Sequence, residues 1–159
     1  MNALELDEHG LAEAPVAVVV EHVLARYHAV HREQFPELVR LARKVEQVHG
    51  GGAAYPAGLA DHVAAMAQEI DSHMRKEERV LFPLLLRGQR VLARTPIAVM
   101  RAEHEDHGAA LRTLARMTCD LTPPSGACST WRALYAALQV LRDDLCRHIR
   151  LENDILFAR

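Results

Sequence analysis

Residues 73–82 read HMRKEERVLF, and residues 148–157 read HIRLENDILF. The two stretches share His, Arg, Glu, Leu and Phe in register, and each has a glutamate four residues after its histidine. Residues four apart lie one turn apart on the same face of a helix, so each stretch can offer a nitrogen and an oxygen to one centre. The repeat therefore indicates two helices that each supply a pair of metal ligands.

Both pairs lie on apolar stripes of predicted helices, where a helical bundle normally places apolar side chains. A buried carboxylate without a partner is strongly destabilising, and a bound cation removes that penalty. The stripe of the second predicted helix is Leu59, Val63, Met66, Ile70, His73, Glu77 and Leu81; that of the last is Leu134, Leu138, Leu141, Leu145, His148, Glu152 and Ile155.

Proline and glycine residues divide the chain into four predicted helices. Short loops between four helices predict an all-α fold, an antiparallel up-down four-helix bundle over residues 15–159, after a flexible lead-in over residues 1–14. Pro36 is expected to bend or weaken the first helix. The boundary signals are Pro15 and Gly50-Gly51-Gly52 for the first helix, Tyr55-Pro56 and Gly88 for the second, Thr95-Pro96 for the third, and Ser129 or Thr130 for the fourth.

The repeat extends upstream of each histidine–glutamate pair. His28 lies 45 residues before His73, and His104 lies 44 residues before His148. The chain is therefore predicted to form two similar helical hairpins around a pseudo-symmetric site for two metal ions about 3.5–4 Å apart. The predicted metal ligands are His28, His73, Glu77, His104, His148 and Glu152.

Other polar residues near these positions are assigned less direct roles. His31 and His107 follow two predicted ligands by three residues, and the sequence leaves open whether they touch a metal. Glu69 and Asp144 precede the two HxxxE histidines by four residues, so they are either acceptors for the ring N–H groups of those histidines or exposed charges. His49 lies roughly 30 Å beyond His28 along a straight helix and is left out of the site.

Composition excludes several classes of function. The chain has 159 residues, and its net charge of −2 gives no basic surface for nucleic acid or an anionic membrane. No apolar run reaches the roughly 20 residues of a membrane span. Its three cysteines have no CxxC spacing, so reduced thiols are expected. These features predict a cytoplasmic protein with no nucleic-acid or membrane partner.

Mixed imidazole and carboxylate ligands suit iron, and several further motifs resemble those of a known di-iron family. The chain is similar to the hemerythrin-like domain of the repair-of-iron-centres (RIC) proteins. The motifs are Arg26-Tyr27-His28-x-x-His31-Arg32-Glu33, Lys44-Val45-Glu46-x-Val48-His49, His73-Met74-x-Lys76-Glu77-Glu78-x-x-Leu81-Phe82-Pro83, Glu103-His104-Glu105, Thr122-Pro123-Pro124, Thr130-Trp131 and Leu151-Glu152-Asn153.

The resemblance implies two iron ions, oxo- or hydroxo-bridged when oxidised, held by the same six residues. It also implies a bacterial protein of nitrosative and oxidative stress defence. Such a protein would bind or reduce NO, or donate iron to damaged iron–sulfur proteins. Family members usually carry an N-terminal domain with a cysteine pair, and this chain has no cysteine before Cys119, so we expect that domain to be lacking. The extra third-helix histidine of classical hemerythrins would fall at Gly108.

The sequence leaves three functions to compare. The first is a di-iron stress protein that binds or reduces NO and gives up iron for cluster repair. The second is a hemerythrin-like O₂ or redox sensor that binds a gas without turnover. The third is a metal-free bundle with structural histidines. Iron content separates the third from the other two, and the fate of added NO separates the first from the second.

Overall fold

A computed structural model describes residues 7–159, and over this range the backbone forms helices and no strand. The all-α prediction is confirmed. In chain order the elements are α1 (Glu8–Glu13), α2 (Val16–Val23), the π-helical turn π1 (Leu24–His28), α3 (Ala29–His49), α4 (Leu59–Lys76), π2 (Glu77–Leu81), α5 (Phe82–Leu86), α6 (Arg90–Met117), α7 (Ser129–Leu151) and π3 (Glu152–Leu156).

Four long helices make a bundle. The first consists of α2, π1 and α3, the second of α4, π2 and α5, the third of α6, and the fourth of α7 and π3. The segment α3 packs against α4 and α7, and α6 packs against both α4 and α7. Each helix therefore lies beside its neighbour in sequence, and the fourth returns to the first, as expected for an up-down bundle with short connections. The helix α3 continues through Pro36.

The apolar core is divided into two clusters. The larger one lies among α3, α4, α6 and α7 and includes Leu38, Leu59 and Leu138, all of them almost completely buried. The smaller one includes Val19 and Leu156 and joins α1 and α2 to the ends of the second and fourth helices. Along each bundle helix the predicted metal ligands fall between residues of the two clusters. A polar layer therefore separates two apolar ones.

The start of the third helix differs from the prediction. The sequence signal places it at Thr95-Pro96, whereas α6 begins at Arg90 and contains Pro96 in its second turn. Ala93 is completely buried, so packing of the added turn stabilises the longer helix. Pro96 removes only its own N–H from the helix, and that loss is tolerated. At the fourth helix Cys128, rather than Ser129 or Thr130, occupies the N-cap, without a side-chain cap bond.

The start of the chain also differs in part from the expected flexible lead-in. Residues 1–6 lie outside the described residues. The next residues form α1, with Asp7 as its N-cap and Leu11 buried in the smaller apolar cluster. Arg159 donates hydrogen bonds to carbonyls at the end of α1, among them that of Leu11 at 2.8 Å. Packing and these bonds order this segment, and the boundary at residue 15 stays a prediction.

None of the helices within residues 7–159 combines the length and the apolar character that crossing a membrane requires.

Candidate metal centre

The structure brings all six predicted ligands together in the polar layer between the two apolar clusters. Their side chains come from all four bundle helices, and every one of the residues is at most 4% exposed. They form two groups whose ligand atoms lie within 4.8 Å of one another. The first group, called position 1, contains His28, Glu77, His148 and Glu152; the second, position 2, contains His73, Glu77, His104 and Glu152.

Each carboxylate directs one oxygen to each position. Oε2 of Glu77 lies 3.2 Å from Nε2 of His28 at position 1, and its Oε1 lies 3.4 Å from Nε2 of His73 at position 2. For Glu152 the distances are 3.0 Å from Oε1 to Nε2 of His148 and 3.1 Å from Oε2 to Nε2 of His104. Two imidazoles and two shared carboxylate oxygens therefore surround each position.

Three π-helical turns coincide with the site. The turn π1 ends at His28, π2 begins at Glu77 and π3 begins at Glu152. A π-helical turn adds one residue to a helix and rotates the residues after it, and such turns are frequent at functional sites. The turns let the first, second and fourth helices direct their ligands into the polar layer and return their apolar faces to the core on the other side.

The donor atoms fit a pair of metal cations. Both oxygens of Glu77, Oε2 of Glu152 and Nε2 of His28 are buried without a well-aligned hydrogen bond among the described residues. Nε2 of His73 lies 3.1 Å from Nε2 of His104, so two lone pairs meet unless a proton or a metal ion lies between them. Buried donors of this kind are stabilised when they coordinate a cation.

The outer nitrogens of three ligand rings have direct polar partners. Nδ1 of His28 donates to Glu78 at 2.9 Å, and Nδ1 of His73 donates to Glu103 at 2.8 Å. Nδ1 of His104 donates to the side-chain oxygen of Asn153 at 2.9 Å. Such bonds set the tautomer and leave the Nε2 lone pair for a metal. Of the two roles left open for Glu69, the structure has the exposed charge, and the acceptor for the ring of His73 is Glu103 on α6.

The fourth ligand ring, that of His148, also departs from the prediction. Its Nδ1 donates to Nε2 of His31 at 3.2 Å instead of to Asp144. The carboxylate of Asp144 is occupied by Arg26 and Gln34. His31 is fully buried beside a ligand, yet it belongs to neither position.

His107 lies in a similar place on the third helix. It is buried against the ring of His73, with 4.8 Å between ring centroids, and it too is outside both positions. Burial and the neighbouring histidine charges lower the pKa of His107 to about 3 and that of His31 to about 4. Both rings are therefore neutral at ordinary pH. In this geometry neither ring supplies an atom to the two groups.

The phenylalanine shared by the two sequence repeats covers the site. The ring of Phe82 stacks on His28 with centroids 5.6 Å apart, and that of Phe157 stacks on His104 at 5.8 Å. Tyr27 stacks on His148 at 5.0 Å. These rings exclude water from the outer faces of three imidazoles. The sequence repeat therefore specifies three features together: the candidate ligands, the spacing between them, and the aromatic ring that covers the site.

In the metal-free chain, the closely spaced charges of the site shift the pKa values of some of its residues. Burial alone would lower the pKa of His28, but hydrogen bonds to Glu152 and Glu77 raise it to about 10. Burial would raise the pKa of Glu152, and the surrounding histidines instead lower it well below its usual value. The carboxylate of Glu152 therefore stays ionised, and a proton on the ring of His28 holds the place that a metal cation would take.

Sequence reasoning missed Glu78, Asn153 and Gln34. A signal for the first two was present, because Glu78 and Asn153 each directly follow the glutamate of a repeat and then bond the histidine on the preceding helix of the same hairpin. Gln34 had no such signal, since its position on α3 is not repeated in the other hairpin.

His49 and the other histidines left out of the site lie elsewhere. The ring of His49, at the end of α3, lies 5.0 Å from that of Trp131, far from the polar layer. The ring of His62 bonds to the carbonyl of Ala110. His22 is buried and contacts the ring of Tyr27.

Comparison with known proteins gives one family. The family model of the hemerythrin HHE cation binding domain matches residues 19–159. The chain is 49% identical over 147 residues to the iron-sulfur cluster repair protein YtfE of Edwardsiella ictaluri, covering 92% of this chain and 66% of that protein. It is 45% identical over 146 residues to YtfE of Escherichia coli O157:H7, again covering 92% of this chain and 66% of that protein.

The YtfE protein of Yersinia pseudotuberculosis serotype IB is 44% identical over 162 residues, covering 100% of this chain and 73% of that protein. The chain thus spans just under two thirds of the length of the first relatives it matches. The six residues of positions 1 and 2 all lie within the part that the family model covers.

Proposed function

This chain belongs to the hemerythrin HHE cation binding domain family, and from that premise we propose that it holds two iron ions for the repair of iron–sulfur clusters. The resemblance noted in the sequence is confirmed by the family match. The ligands would be His28 and His148 at position 1 and His73 and His104 at position 2, with Glu77 and Glu152 shared.

The observation that carries the proposal is the division of each carboxylate between the two positions. A glutamate that directs one oxygen to each of two neighbouring centres suits a pair of cations better than one. Two carboxylates and four neutral imidazoles also give a mixed nitrogen and oxygen donor set, which is suited to iron. A single structural metal would leave half of these buried atoms without a partner.

When bound, the iron pair supplies redox electrons and open coordination positions for a small ligand such as NO or O₂. The chain's own residues orient and cover the site. Glu78 and Glu103 hold the rings of His28 and His73 by their Nδ1–H groups, and Phe82 and Phe157 exclude water from the faces of two ligand rings.

The repair role is supported by the name that the relatives carry, iron-sulfur cluster repair protein, at 42–49% identity. The nitrosative-stress role, NO as the ligand, the damaged iron–sulfur proteins as partners and a cytoplasmic location belong to the same proposal. This chain spans only about two thirds of the length of those relatives, so the activity of the full-length relatives has to be tested on this chain itself.

The test is iron transfer. The chain is reconstituted anaerobically with ferrous iron, desalted, and mixed with a [4Fe–4S] dehydratase that NO has inactivated. We expect the dehydratase to regain activity faster than with an equal amount of free ferrous iron. A double variant, Glu77→Gln with Glu152→Gln, is the matched control and should give no acceleration. Recovery no faster than with free iron would contradict the repair function.

A second assay tests whether the chain binds or reduces NO. NO is added anaerobically to the reduced, iron-loaded chain, and N₂O in the headspace is measured. Repeated N₂O formation indicates reduction of NO with turnover. Uptake of NO without N₂O indicates a binding or sensing protein, which was the alternative left open by the sequence. No uptake of NO at all would remove this gas from the proposal.

A further inference from the structure

The ring N–H of His148 differs from those of the other three ligand histidines in its partner. His28, His73 and His104 donate directly to a carboxylate or an amide oxygen. His148 donates to another neutral imidazole, that of His31. A neutral imidazole can accept a hydrogen bond only if its own second nitrogen carries the proton. The tautomer of His148 therefore depends on the group that holds His31.

Further hydrogen bonds continue outward from His31. Nδ1 of His31 lies 3.0 Å from Oε1 of Gln34, and Nε2 of Gln34 lies 2.9 Å from Oδ2 of Asp144. Oδ1 of Asp144 lies 2.7 Å from a guanidinium nitrogen of Arg26. Four successive contacts thus connect a ring in the polar layer with a cation at the edge of the bundle.

The direction of each hydrogen bond in this series is determined at the end furthest from the metal positions. An ionised carboxylate only accepts, so Asp144 requires the NH₂ group of Gln34 to face it. The amide oxygen of Gln34 must then face His31 and accept from its Nδ1–H. That leaves Nε2 of His31 as an acceptor, and Nδ1–H of His148 as the donor. With a cation at position 1 the unprotonated atom of His148 is Nε2; in the metal-free chain this atom lies 3.0 Å from Oε1 of Glu152 and can only donate to that carboxylate.

Two further observations favour these hydrogen-bond directions. Burial would raise the pKa of Asp144, but its bonds from Arg26 and Gln34 lower it, so the carboxylate stays ionised. His31 is fully buried, and its two ring nitrogens face an amide oxygen and another imidazole rather than a carboxylate, so a charged ring would have no counter-ion there. Reversal of the bonds would require either a protonated Asp144 or the amide oxygen of Gln34 against a carboxylate.

We infer that His31, Gln34 and Asp144 form a positioning relay, which holds His148 in the Nδ1–H tautomer and so directs its Nε2 lone pair to position 1. The inference rests on the proposed function only in treating His148 as a metal ligand. The relay makes the two metal positions inequivalent. One ring at position 1 depends on three residues in series, whereas both rings at position 2 bond directly to a carboxylate or an amide oxygen.

His107 provides a natural control. It follows His104 by three residues, as His31 follows His28, and it is comparably buried. Its ring packs on that of His73, whose Nδ1–H is already bonded to Glu103. Among the described residues no hydrogen bond joins His107 to a ligand ring. Substitution of His107 therefore removes a buried imidazole next to the site without removing a tautomer constraint.

The first experiment measures iron release. The iron-loaded chain is mixed with excess ferrous chelator, and the release of each iron is followed over time. In His31→Phe and Gln34→Leu we expect one of the two irons to leave about 10–100-fold faster and the other to leave at the wild-type rate, since loss of an outer partner typically weakens metal binding by this factor. His107→Phe should release both irons at wild-type rates.

Chemical rescue separates the hydrogen bond from packing. His31 lines a cleft of about 450 Å³ between the first and second bundle helices, together with Phe35 and Met74. In His31→Gly, added imidazole can enter through this cleft and should restore slow release, whereas added benzene should not. Equal effects of the two additives would overturn the relay in favour of simple filling of space.

A direct spectroscopic reading completes the test. Ring ¹⁵N chemical shifts distinguish the two neutral tautomers of a histidine, and they are measured for His31 in the zinc-loaded chain, where the metal itself fixes the tautomer of His148. We expect His31 to carry its proton on Nδ1 in the wild type and to show a mixed population in Gln34→Leu. Unchanged shifts in that variant overturn the inference. Retention of two irons by His148→Ala would instead show that this ring is no ligand, and the proposed function would fail separately.

Discussion

Nε2 of His148 lies 3.0 Å from Oε1 of Glu152, which is four residues further along the fourth bundle helix. The α-helix ends and the π-helical turn begins at Glu152 itself, so the spacing of one α-helical turn is kept between the two ligands. The same arrangement joins His73 to Glu77 at 3.4 Å. The change of helix type immediately after each glutamate then reorients the next residues of the helix.

The shared carboxylates predict how iron content responds to substitution. Glu152→Gln should lower the iron content of the reconstituted chain from about two per chain to less than about one, because each carboxylate serves both metals. His28→Ala should leave about one, because its ring faces position 1 only. Iron is measured by chelator absorbance after anaerobic reconstitution and desalting. Equal losses in the two variants would contradict the division of each carboxylate.

The raised pKa of His28 predicts a pH dependence of the metal-free chain. The folded state binds this proton up to about pH 10, whereas the unfolded state releases it near pH 6.5. Because the folded state binds more protons between these values, its free energy of unfolding falls as the pH rises. The contribution is fully present below about pH 6.5 and is lost as the pH passes about 10.

The measurement is urea unfolding of the metal-free chain at several pH values from 6 to 10. His28→Gln is the comparison, since it removes the titrating ring and keeps a polar side chain. We expect a clearly smaller loss of stability with rising pH in this variant than in the wild type. Parallel curves for the two proteins would show that His28 is not the group responsible.

A strained turn after α6 predicts a stabilising substitution. Cys119, Asp120 and Leu121 have φ values of 49°, 57° and 56°, in the left-handed region that costs a residue with a Cβ about 1–2 kcal/mol. Leu121 is buried in the larger apolar cluster, and its N–H donates to the hydroxyl of Thr118 at 2.9 Å. These contacts hold the strained backbone in place.

Cys119→Gly should raise the free energy of unfolding by up to about 1 kcal/mol, the strain relieved minus the larger entropy of glycine in the unfolded chain. Cys146→Gly is the matched control, because it places glycine inside the right-handed helix α7. That variant should lose about 0.5–1 kcal/mol. Both values come from urea unfolding under reducing conditions. A loss of stability in Cys119→Gly would show that the cysteine contributes contacts that outweigh its strain.

The far end of the bundle should be independent of the metals. His49 ends α3 and lies roughly 30 Å along the helix from His28. His49→Phe should therefore retain the wild-type iron content and change only the fluorescence of Trp131, the single tryptophan, whose ring lies 5.0 Å away. Iron analysis and an emission spectrum are sufficient. Loss of one iron in this variant would mean that the excluded histidine takes part in the site.

Much of the site was predictable because its ligands repeat. His73 and Glu77 resemble His148 and Glu152 in spacing and in context, and burial of such residues on an apolar stripe is tolerable only beside a cation. The six candidates could therefore be selected from one sequence. The partners of their outer nitrogens were not predictable in the same way. Glu69 was left as either an acceptor or an exposed charge, and the bond from His73 goes to Glu103 on another helix.

Local signals also misplaced the start of the third helix. Thr95-Pro96 has the composition of a helix start, yet the helix begins at Arg90 and the added turn packs into the core through the buried Ala93, a tertiary contact that no local signal reports. Nor does any sequence pattern mark the π-helical turns. Each is stabilised by the residues against which it packs, and isolated π-helical turns have no strong residue preference.

The amino-acid sequence by itself determined the number of bundle helices, the paired HxxxE motifs and the choice of ligands, because the periodicity of apolar residues and the spacing of polar ones are properties of a single helix. Tertiary structure alone decided which oxygen of Glu77 faces which position, where the helices become π-helical, and that His31 rather than Asp144 holds His148. Those features depend on the rotation and axial shift of one helix against another, which packing of the whole core sets.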